Sequence, residues 1–258
     1  MIDGKDELVI IQEDIRRAAA KPDANWAMLI DLRRCTSCKA CTAGCVAEQK
    51  SPPGIIYRPV YEEESGKFPK VKRRFAPRPC NQCDNPPCVA VCPKKGEGGA
   101  TWKGKKGTGA GIVMIDYEQC IGCGKCVPAC PYKARALDGG AFFTEATPTV
   151  QAYEHAPSWE YGKQWPREKG QLPIGKARKC HFCLHRLKQG MVPMCVSTCP
   201  CRAGFFGDPD DAKSLIHRMM KENRVSVLAS VKAPYPGKTP VFAAKAPARP
   251  RVFYILPE

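Results

Sequence analysis

The stretch CTSCKACTAGC at residues 35–45 has the spacing C-x2-C-x2-C-x3-C, and CIGCGKCVPAC at residues 120–130 repeats that spacing. Two further stretches, at residues 80–93 and 180–200, share a different pattern: C-x2-C, a gap of variable length, then C-x3-C followed by proline. The two patterns alternate along the chain in the order A, B, A′, B′. The chain is therefore an internal repeat whose unit is a pair of cysteine motifs.

The residues that flank the motifs repeat as well. Leu-Ile-Asp at residues 29–31 precedes the first motif as Met-Ile-Asp at residues 114–116 precedes the third. Arg78 and Arg178 each stand two residues before the opening cysteine of the second and fourth motifs. Sixteen of the 17 cysteines form four quartets, which are Cys35, Cys38, Cys41 and Cys45; Cys80, Cys83, Cys88 and Cys92; Cys120, Cys123, Cys126 and Cys130; and Cys180, Cys183, Cys195 and Cys199.

The number and grouping of the cysteines predict metal ligation instead of disulfide bonds. Seventeen is odd, so the cysteines of one chain cannot all pair, and 258 residues is too long for a small disulfide scaffold. Gaps of two or three residues within the motifs also make spanning disulfides awkward. Thiolates held this close together are the usual ligands of a metal or a metal cluster.

The spacing of the first and third quartets indicates [4Fe–4S] clusters. A cubane cluster offers four iron corners, and a chain that curls through C-x2-C-x2-C meets three of them in succession while its N–H groups point at the sulfurs. The fourth cysteine, three residues later, is carried away to the neighbouring cluster, and a proline after it belongs to the ferredoxin signature. With a cysteine at every corner position, the sequence predicts four [4Fe–4S] clusters.

The charge of the chain fits this prediction. Its formal net charge of +16 counts every cysteine as neutral. A cube with a 2+ core and four thiolates has a net charge of 2−, so four such clusters would leave about +8. We interpret much of the basicity as compensation for cofactors, and this weakens the hypothesis of a nucleic-acid-binding face.

Zinc is the alternative metal. The fourth quartet alone, with an eleven-residue gap between Cys183 and Cys195, has a spacing that a zinc ribbon could use. The first and third quartets suit tetrahedral zinc poorly, because a third cysteine follows after two residues and a fourth after three more. A zinc-stabilised nucleic-acid-binding module is therefore the remote alternative.

Several residues near the motifs have no assigned corner. Cys201 follows the fourth quartet directly and is either a free thiol, an alternative ligand or a sensor thiol. His181 and His185 lie inside the fourth quartet, but cysteines already fill the sixteen corners, so we expect a supporting or surface role for both. The basic run KARK at residues 176–179 would raise the reduction potential of a nearby cluster, or it is a solvated surface run.

The A, B, A′, B′ array, with these spacings and the Cys-Pro endings, resembles the iron–sulfur electron-transfer subunit of the dimethyl-sulfoxide-reductase superfamily of molybdenum or tungsten enzymes. The resemblance covers about residues 24–256. It implies an α+β, largely irregular fold of two ferredoxin-like units with pseudo-twofold symmetry, and no catalytic site in this chain. The implied partners are a large Mo/W-bis-pterin catalytic subunit and a membrane anchor, with no nucleic acid. A polyferredoxin-type subunit of a hydrogenase or another oxidoreductase is the alternative.

The resemblance also implies crossed ligation. The implied ligand sets are Cys35, Cys38, Cys41 and Cys199 for the first cluster; Cys180, Cys183, Cys195 and Cys45 for its neighbour; Cys120, Cys123, Cys126 and Cys92 for the third; and Cys80, Cys83, Cys88 and Cys130 for the fourth. In this family the first set lies nearest the catalytic subunit, and the fourth is expected farthest from it. The substrate class favoured by the resemblance is a sulfur or arsenic oxyanion.

Outside the motifs, the sequence predicts few regular elements. We expect strands at residues 26–31, 111–117 and 251–256, a helix at residues 210–223 capped by Asp210, and short helices after the fourth cysteine of each quartet. The predicted segments are an N-terminal extension at residues 1–23; a ferredoxin-like unit at 24–93 plus 177–209 around quartets one and four; a linker with quartet three at 94–138 that pairs with quartet two; an aromatic, proline-rich insertion at 139–176; and a C-terminal helix and extended arm at 210–258. The insertion is either a docking surface or a self-packed loop.

The sequence predicts no direct membrane span, because no segment approaches 18 consecutive apolar residues. Residues 1–21 are mixed and acidic, without the pattern of a signal peptide. We therefore expect folding and cofactor loading in the cytoplasm, with association to either face of a membrane through partner subunits.

Overall fold

A computed structural model describes residues 4–105, 107–149, 151–232 and 240–257 of the chain. Within these ranges the helices are α1 Glu7–Ala19, α2 Ala40–Gln49, α3 Pro87–Ala90, α4 Ala152–His155, α5 Leu184–Lys188, α6 Met194–Ser197 and α7 Leu215–Glu222, with a 3-10 helix at Gly107–Gly109. The strands are β1 Ala27–Asp31, β2 Val60–Ser65, β3 Lys72–Pro77, β4 Thr101–Lys103, β5 Val113–Ile115, β6 Ala136–Leu137, β7 Ser158–Glu160, β8 Lys163–Trp165, β9 Ala177–Arg178, β10 Gly204–Gly207, β11 Val225–Val231, β12 Pro240–Ala243 and β13 Val252–Ile255. Among the described helices, none is both long and apolar enough to cross a membrane.

The largest sheet has five strands in the order β10-β1-β13-β11-β12. Its strand β1 is buried along its whole length, which agrees with its apolar sequence AMLI followed by a single aspartate. β1 runs parallel to β13 and antiparallel to β10, so segments from both ends of the chain meet in one sheet. The strands predicted at residues 26–31 and 251–256 are confirmed as β1 and β13.

Helix α1 packs against this sheet and belongs to the main hydrophobic core. Its buried residues Ile11, Ile15 and Ala18 recur at helical spacing and form one apolar face. The N-cap Asp6 accepts a hydrogen bond from the backbone N–H of Leu8 at 2.7 Å, which begins the helix. The predicted N-terminal extension therefore contributes a packed helix to the core.

Four two-stranded sheets lie between the cysteine motifs. β2 pairs with β3 between the first and second quartets, and β4 pairs with β5 between the second and third. β7 pairs with β8 in the chain between the third and fourth quartets, where β6 also pairs with β9. The strand predicted at residues 111–117 is confirmed in shorter form as β5. These hairpins set the spacing between successive ligand loops.

The prediction that a short helix follows the fourth cysteine of each quartet is wrong. α3 follows Pro86 and contains Cys88, and α6 follows Pro193 and contains Cys195, so both helices hold the third cysteine. A C-x3-C spacing is about one helical turn, so the third and fourth cysteines of a motif leave the same side of this turn toward two neighbouring groups. Proline before the first turn fixes the backbone for helix initiation.

Helix α7 is shorter than the predicted helix at residues 210–223, and Asp210 is not its cap. It begins at residue 215, and Ser214 is the N-cap, whose hydroxyl accepts the N–H of the third helical residue at 3.2 Å. The carboxylates of Asp208 and Asp211 each accept the N–H two residues ahead at 3.0 Å. Because these local turns use N–H groups that a helix would need, the helix starts after them.

The C-terminal region differs from the predicted extended arm. Residues 233–239 lie outside the described residues, but residues 240–243 form β12 and pair antiparallel with β11. Further on, the carbonyls of Ala248 and Arg249 accept the N–H groups of Asn85 and Asp84 at 3.1 and 2.9 Å. Backbone hydrogen bonds thus hold this segment against the second cysteine motif.

The insertion at residues 139–176 packs inward at its hairpin and leaves aromatic residues outside. Trp165 is buried, and its indole N–H donates to the carbonyl of Glu160 at 3.0 Å. The Glu160 carboxylate, itself fully buried, accepts the hydroxyl hydrogens of Tyr57 at 2.9 Å and Tyr117 at 2.6 Å. Phe143, Tyr153 and Trp159 remain about half exposed. The segment is self-packed in part, and a docking role for its exposed side stays a prediction.

We predict that Ile15→Ala lowers the free energy of unfolding by about 2–5 kcal/mol, because Ile15 is fully buried in the face of α1 that covers the sheet. Val9→Ala is the matched control on the same helix, since Val9 is 48% exposed and should change stability by less than about 0.5 kcal/mol. Urea unfolding of the metal-loaded protein under anaerobic conditions measures both changes. Equal effects of the two substitutions would show that α1 is not part of the core.

Candidate metal centres

The structure gathers sixteen of the cysteines into four groups, and all 17 are free thiols. Each group joins three cysteines of one motif to one cysteine of another. We define group I as Cys35, Cys38, Cys41 and Cys199; group II as Cys180, Cys183, Cys195 and Cys45; group III as Cys80, Cys83, Cys88 and Cys130; and group IV as Cys120, Cys123, Cys126 and Cys92. The side chains brought together are the four sets that the family resemblance implies.

The crossing of thiols between motifs depends on a close approach of α2 and α6. Gly44 in α2 faces Thr198, and a Cβ atom at Gly44 would lie 2.8 Å from the Thr198 methyl carbon. Any larger residue would push the two helices apart. Glycine at this position therefore lets Cys45 reach the fourth motif and Cys199 reach the first.

Groups I, III and IV each line a cavity. The cavity of group I is also lined by Arg58 and by Cys195 of group II. The cavities of groups III and IV share Arg135 as a lining residue. Each cavity is thus walled by four thiols on one side and contacts a buried arginine.

Group II lies in the interior, with Cys45, Cys183 and Cys195 buried. Burial raises the pKa of the Cys45 thiol well above its usual value, and the nearby Cys183, Cys180 and Cys195 thiols raise it further. Burial likewise raises the pKa of Cys180 to about 12, and the Cys80 thiol adds to this shift. Thiols in such surroundings become thiolates only beside a strong positive charge, which a bound metal core supplies.

The arrangement of the thiols fits a cluster better than a single ion. Among the described residues, no group of three or more His, Cys, Asp or Glu side chains is placed to hold one metal ion. A cubane cluster binds its four ligands at separate corners, so its thiolates stand farther apart than those around one zinc ion. Sixteen thiols in four groups therefore suit four cubane clusters.

Neighbouring groups form one row in the order I, II, III, IV. Cys195 of group II lines the cavity of group I. Cys180 of group II lies near Cys80 of group III, whose thiol raises the pKa of Cys180. Cys126 of group IV lies near Cys88 of group III, whose thiol raises the pKa of Cys126. The expectation that the set of Cys80, Cys83, Cys88 and Cys130 is farthest from the first set is therefore wrong.

The reason for this order is a direct contact between the second and fourth motifs. The side-chain amide of Gln82 donates to the carbonyl of Cys180 at 2.7 Å, and its oxygen accepts the N–H of Val113 at 2.9 Å. This contact holds group III in the interior. Cys38 of group I and Cys123 of group IV are exposed, so the two ends of the row reach the surface.

The ligand loops share one backbone geometry. In every opening C-x2-C, the second residue after the first cysteine has a positive φ: Ser37 at 57°, Gln82 at 46°, Gly122 at 71° and Phe182 at 57°. Side chains other than glycine are strained in this region, and such strain concentrates at functional sites. A left-handed residue at this position turns successive N–H groups toward one centre, which is how backbone anion sites are built.

Backbone N–H groups also point at individual cysteine sulfurs. The N–H of Ala134 donates to Cys130 Sγ, and the N–H of Ala203 donates to Cys199 Sγ, each at a distance of 3.4 Å. Each donor stands four residues after its cysteine. Hydrogen bonds to thiolate sulfur stabilise the charge on a cluster and raise its potential. The same local geometry thus recurs at the last cysteine of the third and fourth motifs.

His181 supports group II without acting as a ligand. Its Nδ1 accepts the N–H of Leu184 at 3.0 Å, and its Nε2 is 2.7 Å from the side-chain oxygen of Gln49. Gln49 in turn donates its amide hydrogen to Cys183 Sγ at 3.4 Å. Burial holds the pKa of His181 well below its usual value, so the ring is neutral. The ring orients the Gln49 amide, which donates to the sulfur. His185 binds Glu48 at 2.7 Å instead.

The basic run at residues 176–179 is not a solvated surface run. Arg178 is fully buried, and its guanidinium binds the carboxylates of Asp138 at 2.8 Å and of Glu160. Lys179 is also fully buried, and its ammonium donates to the carbonyl of Cys180 at 3.0 Å. Two carboxylates thus neutralise Arg178, whereas Lys179 lies beside the cysteines.

Sequence reasoning missed Arg58 and Arg135. Both arginines are almost fully buried, at 3% and 5% exposure. The sequence signal that they share is an arginine after the fourth cysteine of the first and third motifs. Burial acts to lower the pKa of Arg58, but the Cys195 and Cys41 thiols outweigh it and the net shift is upward.

Cys201 lies at the edge of group I. It is half-buried, lines the same cavity as Cys35 and Cys199, and its Sγ is 3.5 Å from the hydroxyl of Thr36. Its role as a free thiol, an alternative ligand or a sensor thiol stays a prediction.

Comparison with a protein-family model agrees with this architecture. Residues 71–145 and 165–209 match the 4Fe-4S dicluster domain. The match leaves out residues 146–164, which lie inside the predicted insertion.

Several relatives are similar over most of their length. The chain is 51% identical to a subunit of the selenate reductase of Mesobacillus selenatarsenatis, over 85% of this chain and 74% of the relative. It is 36% identical to a subunit of the tetrathionate reductase of Salmonella typhimurium, over 82% of this chain and 69% of the relative. It is 32% identical to the arsenate respiratory reductase iron–sulfur subunit of a Shewanella species, over 88% and 94%. Sequence, site and relatives agree, and the chain belongs to the family of iron–sulfur subunits of the dimethyl-sulfoxide-reductase superfamily of molybdenum and tungsten oxidoreductases.

Proposed function

We propose that this chain relays single electrons through four [4Fe–4S] clusters, between a Mo/W-bis-pterin catalytic subunit and a membrane anchor, a quinone pool or another carrier. As a family member it is a non-catalytic electron-transfer subunit of a reductase complex. The observation that carries the proposal is the row of four cysteine groups, which is buried in its middle and reaches the surface at both ends. A relay needs this form, because electrons must arrive and leave at different faces.

Each cysteine group would hold one cluster with its four thiolates. The clusters, when bound, accept and release one electron each at potentials that the surrounding protein sets. The chain itself positions the sulfurs through the left-handed turns, donates N–H groups to them and keeps water away from groups II and III. Cys38 and Cys123 mark the two ends where partners would approach.

The two halves of the row form two ferredoxin-like units in this proposal. Groups I and II exchange Cys45 and Cys199, and groups III and IV exchange Cys92 and Cys130. This equivalent exchange supports a pseudo-twofold relation between the units. Group I would face the catalytic subunit, and group IV would face the anchor or carrier.

For the substrate of the partner enzyme we propose an oxyanion of selenium, sulfur or arsenic. The support is the 51% identity to a selenate reductase subunit and the lower identities to tetrathionate and arsenate reductase subunits. The polyferredoxin-type alternative has less support, since these relatives are named as reductase subunits. The zinc-stabilised nucleic-acid module has still less, because the thiols are not grouped for single ions within the described residues.

We predict about sixteen iron atoms per chain, because four cubane clusters carry four irons each. Metal analysis of anaerobically purified protein measures this, together with the broad absorption expected near about 400 nm. A content near four zinc atoms, with no colour, would contradict the proposal.

Cys45→Ser should alter the cluster of group II and leave that of group I unchanged, because Cys45 lies beside Cys180, Cys183 and Cys195. EPR spectra of the reduced protein measure which signal changes. Cys199→Ser is the matched control for the opposite crossing, and it should alter group I. If Cys45→Ser changed the signal of group I alone, the crossed ligation would be wrong.

The identity of the partner is tested by affinity purification of the tagged chain from its native source. We expect a large pterin-binding subunit with molybdenum or tungsten, because the relatives are named as subunits of reductases and the family serves such enzymes. Mass spectrometry and metal analysis identify the bound subunit. Recovery of a nickel–iron subunit in its place would support the hydrogenase alternative.

A further inference from the structure

Arg58 and Arg135 occupy equivalent places, each between two cysteine groups. Arg58 lines the cavity of group I together with Cys41 of that group and Cys195 of group II. Arg135 lines the cavity of group III together with Cys88 and the cavity of group IV together with Cys126. Each arginine therefore shares a cavity lining with cysteines of both members of one neighbouring pair of groups.

The charge of these two arginines has no carboxylate partner within the described part of the chain. The neutral contacts of Arg58 and Arg135 are the sulfur of Met28 at 2.9 Å and the hydroxyl of Thr101 at 3.0 Å. The Nε atom of each guanidinium is buried without a hydrogen-bond partner among the described residues. Neither side chain forms an ion pair in that part of the chain, although both are nearly inaccessible to water.

Two other buried arginines in the same molecule, Arg167 and Arg178, are paired with acids. Arg167 binds Asp138 at 3.0 Å, and Arg178 binds Asp138 and Glu160. An arginine stays charged in any protein environment, and a buried charge without a partner is strongly destabilising. The missing negative charge at Arg58 and Arg135 must therefore come from the groups that they touch.

We propose that Arg58 is the shared counter-charge of the clusters in groups I and II, and that Arg135 is the shared counter-charge of those in groups III and IV. This inference rests on the proposed four-cluster relay. A cubane with four thiolates goes from a net charge of 2− to 3− when it gains one electron. A fixed positive charge next to two clusters favours the reduced form of both, so one arginine raises the potentials of a pair together.

The test is an EPR-monitored redox titration of the intact complex with Arg58→Gln and Arg135→Gln. Arg58→Gln should lower the reduction equilibrium constant of two of the four clusters at least tenfold, and tenfold corresponds to about 59 mV for one electron. Arg135→Gln should lower the other two by a similar factor. Arg58→Lys and Arg135→Lys keep the charge and should remain within about threefold of the unaltered protein.

Arg73→Gln is the control for loss of a positive charge at the surface, because Arg73 is largely exposed and pairs with Glu64. It should leave all four potentials unchanged.

If a glutamine variant keeps its four clusters with unaltered potentials, the inference is overturned while the relay stands. Should one glutamine variant lose iron, the variants of the other arginine still test the inference on the other pair of clusters. Where both variants of one arginine keep their clusters, a lysine variant that shifts the potentials as much as the glutamine variant contradicts a charge effect. Fewer than four clusters in the unaltered protein would instead overturn the relay itself.

Discussion

Two thiols that cross between distant motifs hold each half of this molecule together. Cys45 leaves the first motif to join group II, and Cys199 leaves the fourth to join group I. Closing so long a loop costs conformational entropy, and cysteine–iron bonds of the proposed clusters would offset this cost. Two contacts bring the ends of this loop together. Helix α2 packs closely on α6 at Gly44, and β1 pairs with β13. The remaining structure is arranged around the row of groups that the crossings create.

Charge balance is the second constraint on the interior. Four clusters with their thiolates would place about eight negative charges inside a small protein. The interior contains buried arginines in two kinds of surroundings. Arg178 serves the fold, since two carboxylates neutralise it and link the insertion to the fourth motif. Arg58 and Arg135 lie against the cysteines with no carboxylate beside them in the described chain, so their charge is available to the clusters.

The row of groups has accessible ends and an enclosed middle. Cys38 and Cys123 are exposed, whereas Cys45 and Cys130 are buried. Enclosure lowers the local dielectric, which strengthens each hydrogen bond and each charge that acts on the inner groups. The outer groups are left open to partners. Exposed aromatic residues of the insertion, such as Trp159, offer further contact area on the surface.

The sequence by itself determined the cofactor class and the repeat. Cysteine spacing depends on local chain geometry, so CTSCKACTAGC at residues 35–45 and its partner motifs predict cluster ligation without any knowledge of the fold. Strand β1 could also be predicted, because it is an apolar run that ends at a ligand loop. The short helices at the third cysteine could not, since a helix of four residues depends on its surroundings more than on helix propensity.

Only the tertiary structure decided how the groups follow one another and which charges lie beside them. The order of groups III and IV depends on the contact of Gln82 with Cys180, two residues far apart in the chain. Arg58 and Arg178 look alike in the sequence, yet one lies beside thiols and the other between carboxylates. Electrostatic roles of this kind arise from distances across the folded chain, and residue spacing does not encode those distances.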